Sequence, residues 1–299
     1  MIPPFLKKGD KVALVAPAGR VAEAEVQQAA AILQSWGLVV VAMPHITEEY
    51  GCFAGRPEQR LCDLQQAFDD ADTKAVFCAR GGYGLVQIVG GIDWSGFLSH
   101  PKWIVGYSDV TVLHNAVCAH GVASMHAPML RNLARAELPD TLLETYRKML
   151  FGIEPSYKRK QHPLNRYGKT QGKIVGGNLA VFSALRGTPL DLDFAEKILF
   201  IEDIGEKPHC VERMLWNLKL AGVFNRIRGL IVGQFTDYEE DNGLCRTLPE
   251  LIADVVADYR FPVVFDFPSG HIRNNHPLLF NYDCRLEVNA LGVQLDFSK

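Results

Sequence analysis

Apolar and polar residues fall in two kinds of block along the first half of the chain. Residues 11–16 (KVALVA) are a short, β-branched apolar run that stops at Pro17-Ala18-Gly19. That is the pattern of a strand buried on both faces in a parallel sheet. Residues 23–36, rich in Ala, Gln and Leu, follow with a helical pattern, and Gly37 stands where a helix C-cap belongs. Residues 38–43 (LVVVAM) predict the next strand, and residues 56–70 carry Leu61, Leu64, Ala67 and Phe68 at helical spacing. Residues 74–79 (KAVFCA) and 103–106 predict two more strands. The first breaks at Arg80-Gly81-Gly82-Tyr83-Gly84, and the second runs directly into a helical stretch over 109–120. Strands and helices alternating over such short connections predict right-handed βαβ units on a parallel sheet. Such sheets hold ligands outside the carboxyl ends of their strands.

The pattern changes beyond residue 150. Residues 154–169 (EPSYKRKQHPLNRYGK) are polar, Pro-containing and aperiodic, as an interdomain connection is. Strand patterns recur at 172–175, 198–202, 229–234 and 284–288, with helical stretches at 178–185, 211–220 and 248–258. The fold class is therefore α/β. A parallel-sheet α/β domain is expected over 1–153, a linker over 154–169, and a smaller α+β domain over 170–299. The chain shows no internal repeat and no low-complexity tract.

Composition narrows the function classes. A chain of 299 residues, 48% hydrophobic and 22% charged, matches a soluble globular protein with little room for long disorder. A formal charge of −3, with Lys158-Arg159-Lys160 as the densest basic run, gives no electrostatic footprint of a nucleic-acid partner. Seven cysteines, an odd number with no CxxC, predict reduced thiols and a cytoplasmic setting. The N-terminal residues lack a basic start followed by an apolar stretch, and no run of ~18 apolar residues occurs. Neither a signal peptide nor a membrane span is expected. His114 and His120 lie six positions apart on one predicted helix and share no face, and His209-Cys210 is isolated. No metal is expected. The Arg80–Gly84 glycines expose backbone N–H groups, but the loop has neither a Walker lysine nor the GxGxxG spacing, which argues against a nucleotide.

Three segments carry candidate chemistry. In Trp103-Ile104-Val105-Gly106-Tyr107-Ser108-Asp109-Val110, a strand enters Gly-x-Ser and a helix begins at once. Such a turn presents a nucleophile above the sheet, beside helix N–H groups able to hold an oxyanion. Val110 stands where the generic elbow has a second glycine, so the same pattern also reads as Ser108 or Asp109 capping a helix. Ile201-Glu202-Asp203-Ile204-Gly205-Glu206 sets three carboxylates after a strand. They are able to orient a histidine, pair with Arg213, or favour the start of a helix. Gly270-His271 lies in an aperiodic loop after the strand-like residues 263–267. Together, Ser108, Glu202 and His271 would supply a nucleophile, an orienting carboxylate and a general base. Cys118, on the helix after Ser108, reads as a small core residue.

Arg80-Gly81-Gly82-Tyr83-Gly84, Gly106-Tyr107-Ser108-Asp109, Gly176-Gly177-Asn178-Leu179, Glu202-Asp203-Ile204-Gly205-Glu206 and Gly270-His271 occur in the order of the LD-carboxypeptidase family. The chain resembles that family of serine peptidases over nearly its whole length. The resemblance implies a Ser–Glu–His triad on Ser108, Glu202 and His271. It also implies an oxyanion hole from the backbone N–H groups of Asp109 and of a glycine in the Arg80–Gly84 loop, Gly82 in preference to Gly81, and substrate contacts at Gly81, Tyr83 and Asn178. The N-terminal domain is expected to resemble class I glutamine amidotransferases, in a homodimer that needs no cofactor. The implied reaction is hydrolysis of the L,D-peptide bond of murein tetrapeptide, free or as its UDP-MurNAc conjugate, with release of D-alanine during cytoplasmic peptidoglycan recycling. One alternative is a microcin C-type immunity peptidase, for which Tyr83, Trp94 or Trp216 would stack on a base. Another is a non-catalytic wall-peptide binding module, against which the intact Ser108, Glu202 and His271 argue. Many relatives carry His-Gly-Pro where this chain has His126-Ala127-Pro128, so Ala127 is expected to alter substrate affinity if the glycine serves close backbone approach.

Overall fold

The computed structural model describes residues 1–298 and divides the chain into two compact units. The first holds Met1–Ile153 together with Arg273–Leu279; the second holds Glu154–Ile272 and the chain from Phe280 onward.

The first unit is built on β1 (Lys11–Val15), β2 (Val39–Ala42), β3 (Thr73–Cys78), β4 (Trp103–Gly106) and β5 (Ser124–His126). They pair in parallel in the order β2-β1-β3-β4-β5, and the late strand Leu278–Phe280 lies beside β5. Every residue of β4 is buried, as its uninterrupted apolar run requires, whereas β2 at the edge has no buried residue. The helix Glu23–Ser35 turns Val26, Ala29 and Leu33 inward, and the helix Pro57–Asp69 does the same with Leu64, Ala67 and Phe68. Each large apolar side chain so buried contributes about 1.5–3 kcal/mol. Pro57 opens the second helix while the Gln59 side chain accepts the Arg56 N–H, at 2.9 Å. Its far end is closed by the buried Lys102, whose Nζ donates to the carbonyls of Ala67, Phe68 and Asp70.

The strand and helix patterns of the first 110 residues match these elements to within a residue or two. Two features differ. The helix expected over 109–120 starts as a 3₁₀ turn, Ser108–Val110, and becomes α-helical only over Thr111–Ala119. β5 and Leu278–Phe280, three residues each, are too short to carry a readable period.

The second unit is a seven-stranded mixed sheet. Its members are β6 (Ser156–Arg159), β7 (Gly168–Asn178), β8 (Lys197–Ile204), β9 (Gly229–Thr236) and β10 (Val263–Val264). Taking Leu278–Phe280 as β11, the remaining two are β12 (Asp283–Asn289) and β13 (Gly292–Phe297). The order is β10-β9-β8-β7-β12-β13-β6. β7 through β10 run parallel, linked by the helices Leu179–Ala184, Pro208–Leu220 and Leu248–Val255; β12, β13 and β6 add antiparallel strands on one side. The half expected to be α+β therefore carries its own parallel βα core with an antiparallel flank. Residues 154–169, expected as a connection, contribute the edge strand β6 through pairing with β13. The polar side chains that disguised β6 suit an edge, where one face and one side meet water. Among the described residues, no helix is long and apolar enough to cross a membrane.

Candidate active site

β4 delivers Ser108 to the carboxyl end of the first sheet. Tyr107 is extended (φ −151°, ψ −171°), and Ser108 then turns into the left-handed region at φ 64°. A non-glycine residue is rare there and costs about 1–2 kcal/mol, and such strain gathers at functional turns. Ser108 is half-buried, whereas its neighbours Tyr107 and Asp109 are buried. The turn stands on a fixed base. The Gly106 carbonyl accepts the Ala127 N–H at 3.0 Å and lies 2.9 Å from His114 Nε2, while His114 Nδ1 lies 2.8 Å from Ser124 Oγ. Burial pulls the His114 pKa down to about 4, so the ring is neutral. Nε2–H then donates to the carbonyl, and Nδ1 accepts from the Ser124 hydroxyl. Ala127 is fully buried.

The Arg80–Gly84 loop packs against this turn. A side-chain carbon added to Gly81 would stand 2.7 Å from Ser108 Cβ, 2.8 Å from Ser108 Oγ and 3.3 Å from Asp109 N. Glycine alone permits that approach. Gly82, the residue expected to donate to an oxyanion, is exposed with φ 103°, and Tyr83 is exposed with its ring 5.9 Å from Phe53. The Asp109 carboxylate ties loop and turn together by accepting the Leu85 N–H at 2.9 Å. Burial raises the Asp109 pKa to about 6, against the lowering effects of that bond and of Arg60. Arg60 is buried as well, and donates to the carbonyls of Pro17 and Gly84 and to Gln87 Oε1. Nothing in the helical pattern at 56–70 marks Arg60 as a loop support, because a charged residue at that spacing reads as solvent-facing.

The second unit positions Glu202 near the carboxyl end of β8 and His271 on the loop after β10. Glu202 is fully buried, and its Oε2 lies 2.7 Å from His271 Nδ1. The carboxylate only accepts, so Nδ1 carries the proton and Nε2 is the basic nitrogen of the neutral ring. Burial lowers the imidazole pKa, but Glu202, with Asp203 and Asp237 behind it, outweighs burial and holds it above the ordinary value. Gly270 makes this pair possible. Its φ is 131°, and an added side-chain carbon would meet Glu202 Cβ and Oε2, each at 3.0 Å.

Asn178 sits at the end of β7, in register with Glu202. Its Oδ1 caps the following helix by accepting the Val181 N–H at 3.1 Å, and its Nδ2 donates to Asp203 Oδ1 at 2.9 Å. Asp203 also accepts the N–H groups of Ala180 and Ile204, and burial, followed by the Glu202 charge, raises its pKa to about 6. Of the residues singled out in the sequence, Ser108, Asp109 and Gly81 thus form one cluster, and Glu202, His271 and Asn178 form another.

The chain matches two family models, the LD-carboxypeptidase N-terminal domain over residues 12–127 and the LD-carboxypeptidase C-terminal domain over residues 171–286. The probable murein peptide carboxypeptidase of Bacillus subtilis is 34% identical over 276 residues, covering 90% of this chain and 86% of that protein. The murein tetrapeptide carboxypeptidase of Pseudomonas aeruginosa is 32% identical over 291 residues, covering 94% of each. The crystal structure of muramoyltetrapeptide carboxypeptidase from Oxalobacter formigenes matches with a TM-score of 0.89 at 28% identity, covering 97% of this chain and 99% of that one.

Proposed function

The chain belongs to the LD-carboxypeptidase family, and from that membership we propose that it is a serine carboxypeptidase releasing the terminal D-alanine of murein tetrapeptide. The observation that carries the reading is the left-handed backbone of Ser108, at a turn from a parallel strand into a helix. A serine that only capped the helix would have no need of that conformation, since caps take the extended region.

In this reading Ser108 Oγ attacks the carbonyl of the L,D-peptide bond, and His271 Nε2 takes the hydroxyl proton. Glu202 holds Nδ1–H, fixes the tautomer and stabilises the imidazolium. The backbone N–H groups of Asp109 and Gly82 receive the oxyanion; that of Asp109 lies in the first turn, before the intrahelical ladder begins. As the tetrahedral centre collapses, the C–N bond breaks and His271 returns its proton to the D-alanine amine. Water, deprotonated by His271, then attacks the acyl carbonyl; the bond to Ser108 Oγ breaks, and His271 returns the proton to that oxygen. Gly81 and Tyr83 border the substrate on this reading, and Asn178 acts by holding Asp203 behind the Glu202–His271 pair. The same reading assigns the reaction to cytoplasmic peptidoglycan recycling, a homodimeric assembly, and a first unit shaped like class I glutamine amidotransferases.

The test is D-alanine release from murein tetrapeptide and from its UDP-MurNAc conjugate, with Ser108→Ala as control. Release that vanishes in the variant is the expected result. A folded wild-type protein that releases none overturns the reading, and cleavage of an aminoacyl-sulfamoyl adenylate in its place redirects it to the microcin C-type reaction.

A further inference from the structure

A carboxypeptidase recognises its bond by the charged end of the chain it shortens. The terminal carboxylate lies only a few bonds from the carbonyl that is attacked, so the group that reads it must stand beside the nucleophile. In the first unit, the loop that leads into Gly81 carries Arg80, whose charge interacts with those of Arg20, Arg131, Arg135 and Glu25, while Glu49 pairs with Arg20. Arg80 follows β3 and immediately precedes Gly81, the residue pressed against Ser108. Arg131 is fixed at the same strand end, its N–H donating to the Ala79 carbonyl at 3.1 Å.

The pairing within this group is incomplete. Glu49 is held by Arg20 at 2.9 Å. Glu25 makes its close contact with Arg135, 2.6 Å from Nε, and leaves Arg131 at 3.7 Å. Arg80 donates from Nη1 to the Arg20 carbonyl at 3.1 Å and forms no ion pair among the described residues. Its side chain lies over Gly19, whose N–H bonds the Gly81 carbonyl at 2.9 Å. Burial first, and then repulsion from Arg131, lowers the Arg80 pKa against the raising effect of Glu25. Two half-buried arginines anchored at one strand end, Arg80 by the chain itself and Arg131 by its bond to Ala79, are stabilised by an anion that both can reach, and a planar fork suits a carboxylate.

We propose that Arg80, assisted by Arg131, binds the terminal carboxylate of the substrate and thereby makes the enzyme an exopeptidase. The inference rests on the carboxypeptidase reading for the identity of the anion. Binding of murein tetrapeptide and of the same peptide amidated at its C-terminus is measured by calorimetry in the Ser108→Ala background. The free acid is expected to bind at least about tenfold tighter than the amide. That ratio should fall close to one in the added Arg80→Gln variant and severalfold in Arg131→Gln. If Arg80→Gln does not fold, Arg80→Lys, which keeps the charge and loses the fork, is read by the same ratio and is expected to lower it. Equal binding of acid and amide before any arginine is changed, or an undiminished ratio after Arg80→Gln, overturns the proposal. Wild-type D-alanine release keeps the two readings apart. Release without preference for the acid removes the arginine site alone, and preference without release removes the carboxypeptidase alone.

Discussion

Gly81 and Ser108 approach so closely that a side-chain carbon on the glycine would stand 2.8 Å from the serine Oγ. Gly81 lies outside the positive-φ residues, so alanine meets no left-handed penalty there and acts through the clash. Overpacking of this kind costs typically about 1–3 kcal/mol. Relief must come from movement of the loop or of the serine, since both neighbours are fixed from below. Gly81→Ala is therefore expected to lower kcat for D-alanine release by about a hundredfold, as a roughly 1 Å misplacement of a reacting group does. Unchanged kcat in a folded variant would mean that Ser108 tolerates displacement and is not held for attack.

The backbone of Ser108 makes a second prediction, on stability rather than rate. Both Ser108→Ala and Ser108→Gly abolish turnover if Ser108 is the nucleophile. They differ in what they do to a residue at φ 64°. Alanine keeps the left-handed strain of about 1–2 kcal/mol, while glycine removes it and loses about 0.5–1 kcal/mol of unfolded-state entropy. The glycine variant should be the more stable by up to about 1.5 kcal/mol in denaturant unfolding. An alanine variant equal to or above it would remove strain from the account of this turn.

Much of this was legible in the chain because buried parallel strands are short apolar runs that end where the chemistry begins. KVALVA, KAVFCA and the strand before Ser108 all announce themselves in that way. The Glu202–His271 bond joins residues far apart in sequence; carboxylates after a strand and a loop histidine made the pair a candidate, and the order of motifs singled it out. Other supports were illegible for a common reason. Arg60, Lys102 and His114 are polar residues that work while buried, each by bonding backbone carbonyls that the sequence does not place. The edge strand β6 failed differently: its polar residues carry an edge's composition, which reads as loop. Arg131 gave no signal, because its partner position at Ala79 is set by the return of the chain to the end of β3.

Asp109 gives a pH-dependent prediction. Its carboxyl is raised from 3.8 to about 6 by burial, so the folded state holds a proton that the unfolded state has lost. Stability from this group therefore falls as pH rises from 3.8 through 6, and at neutral pH the charged, buried form costs up to about 3 kcal/mol. Asparagine keeps an oxygen to accept the Leu85 N–H and carries no charge. Asp109→Asn should be more stable than wild type at pH 7, by an amount that shrinks toward zero below about pH 4. A constant difference across that range, or a loss at pH 7, would show that Arg60 already neutralises the carboxylate.

Glu202 and His271 supply the prediction with two independent readouts. Glu202→Gln removes the charge from a fully buried position with little change of volume, and presents an amide to Nδ1 where a carboxylate had been. The wrong tautomer and an unstabilised imidazolium then reduce kcat/KM by about a thousandfold or more. The second readout is the acidic limb of the pH profile. The base must be neutral, so activity rises with pH through the His271 pKa, which Glu202 holds above its ordinary value against the effect of burial. With glutamine only burial acts strongly, and the limb moves to lower pH. Stability follows the same linkage. In wild type the charged pair contributes fully below the unfolded histidine value near 6.5 and is lost as pH rises through the raised folded value; in the variant that dependence flattens. A slow variant whose limb has not moved would assign Glu202 to folding and leave His271 to another partner. A moved limb with undiminished rate would keep His271 as the titrating base and remove the Glu202 charge from the account of the rate.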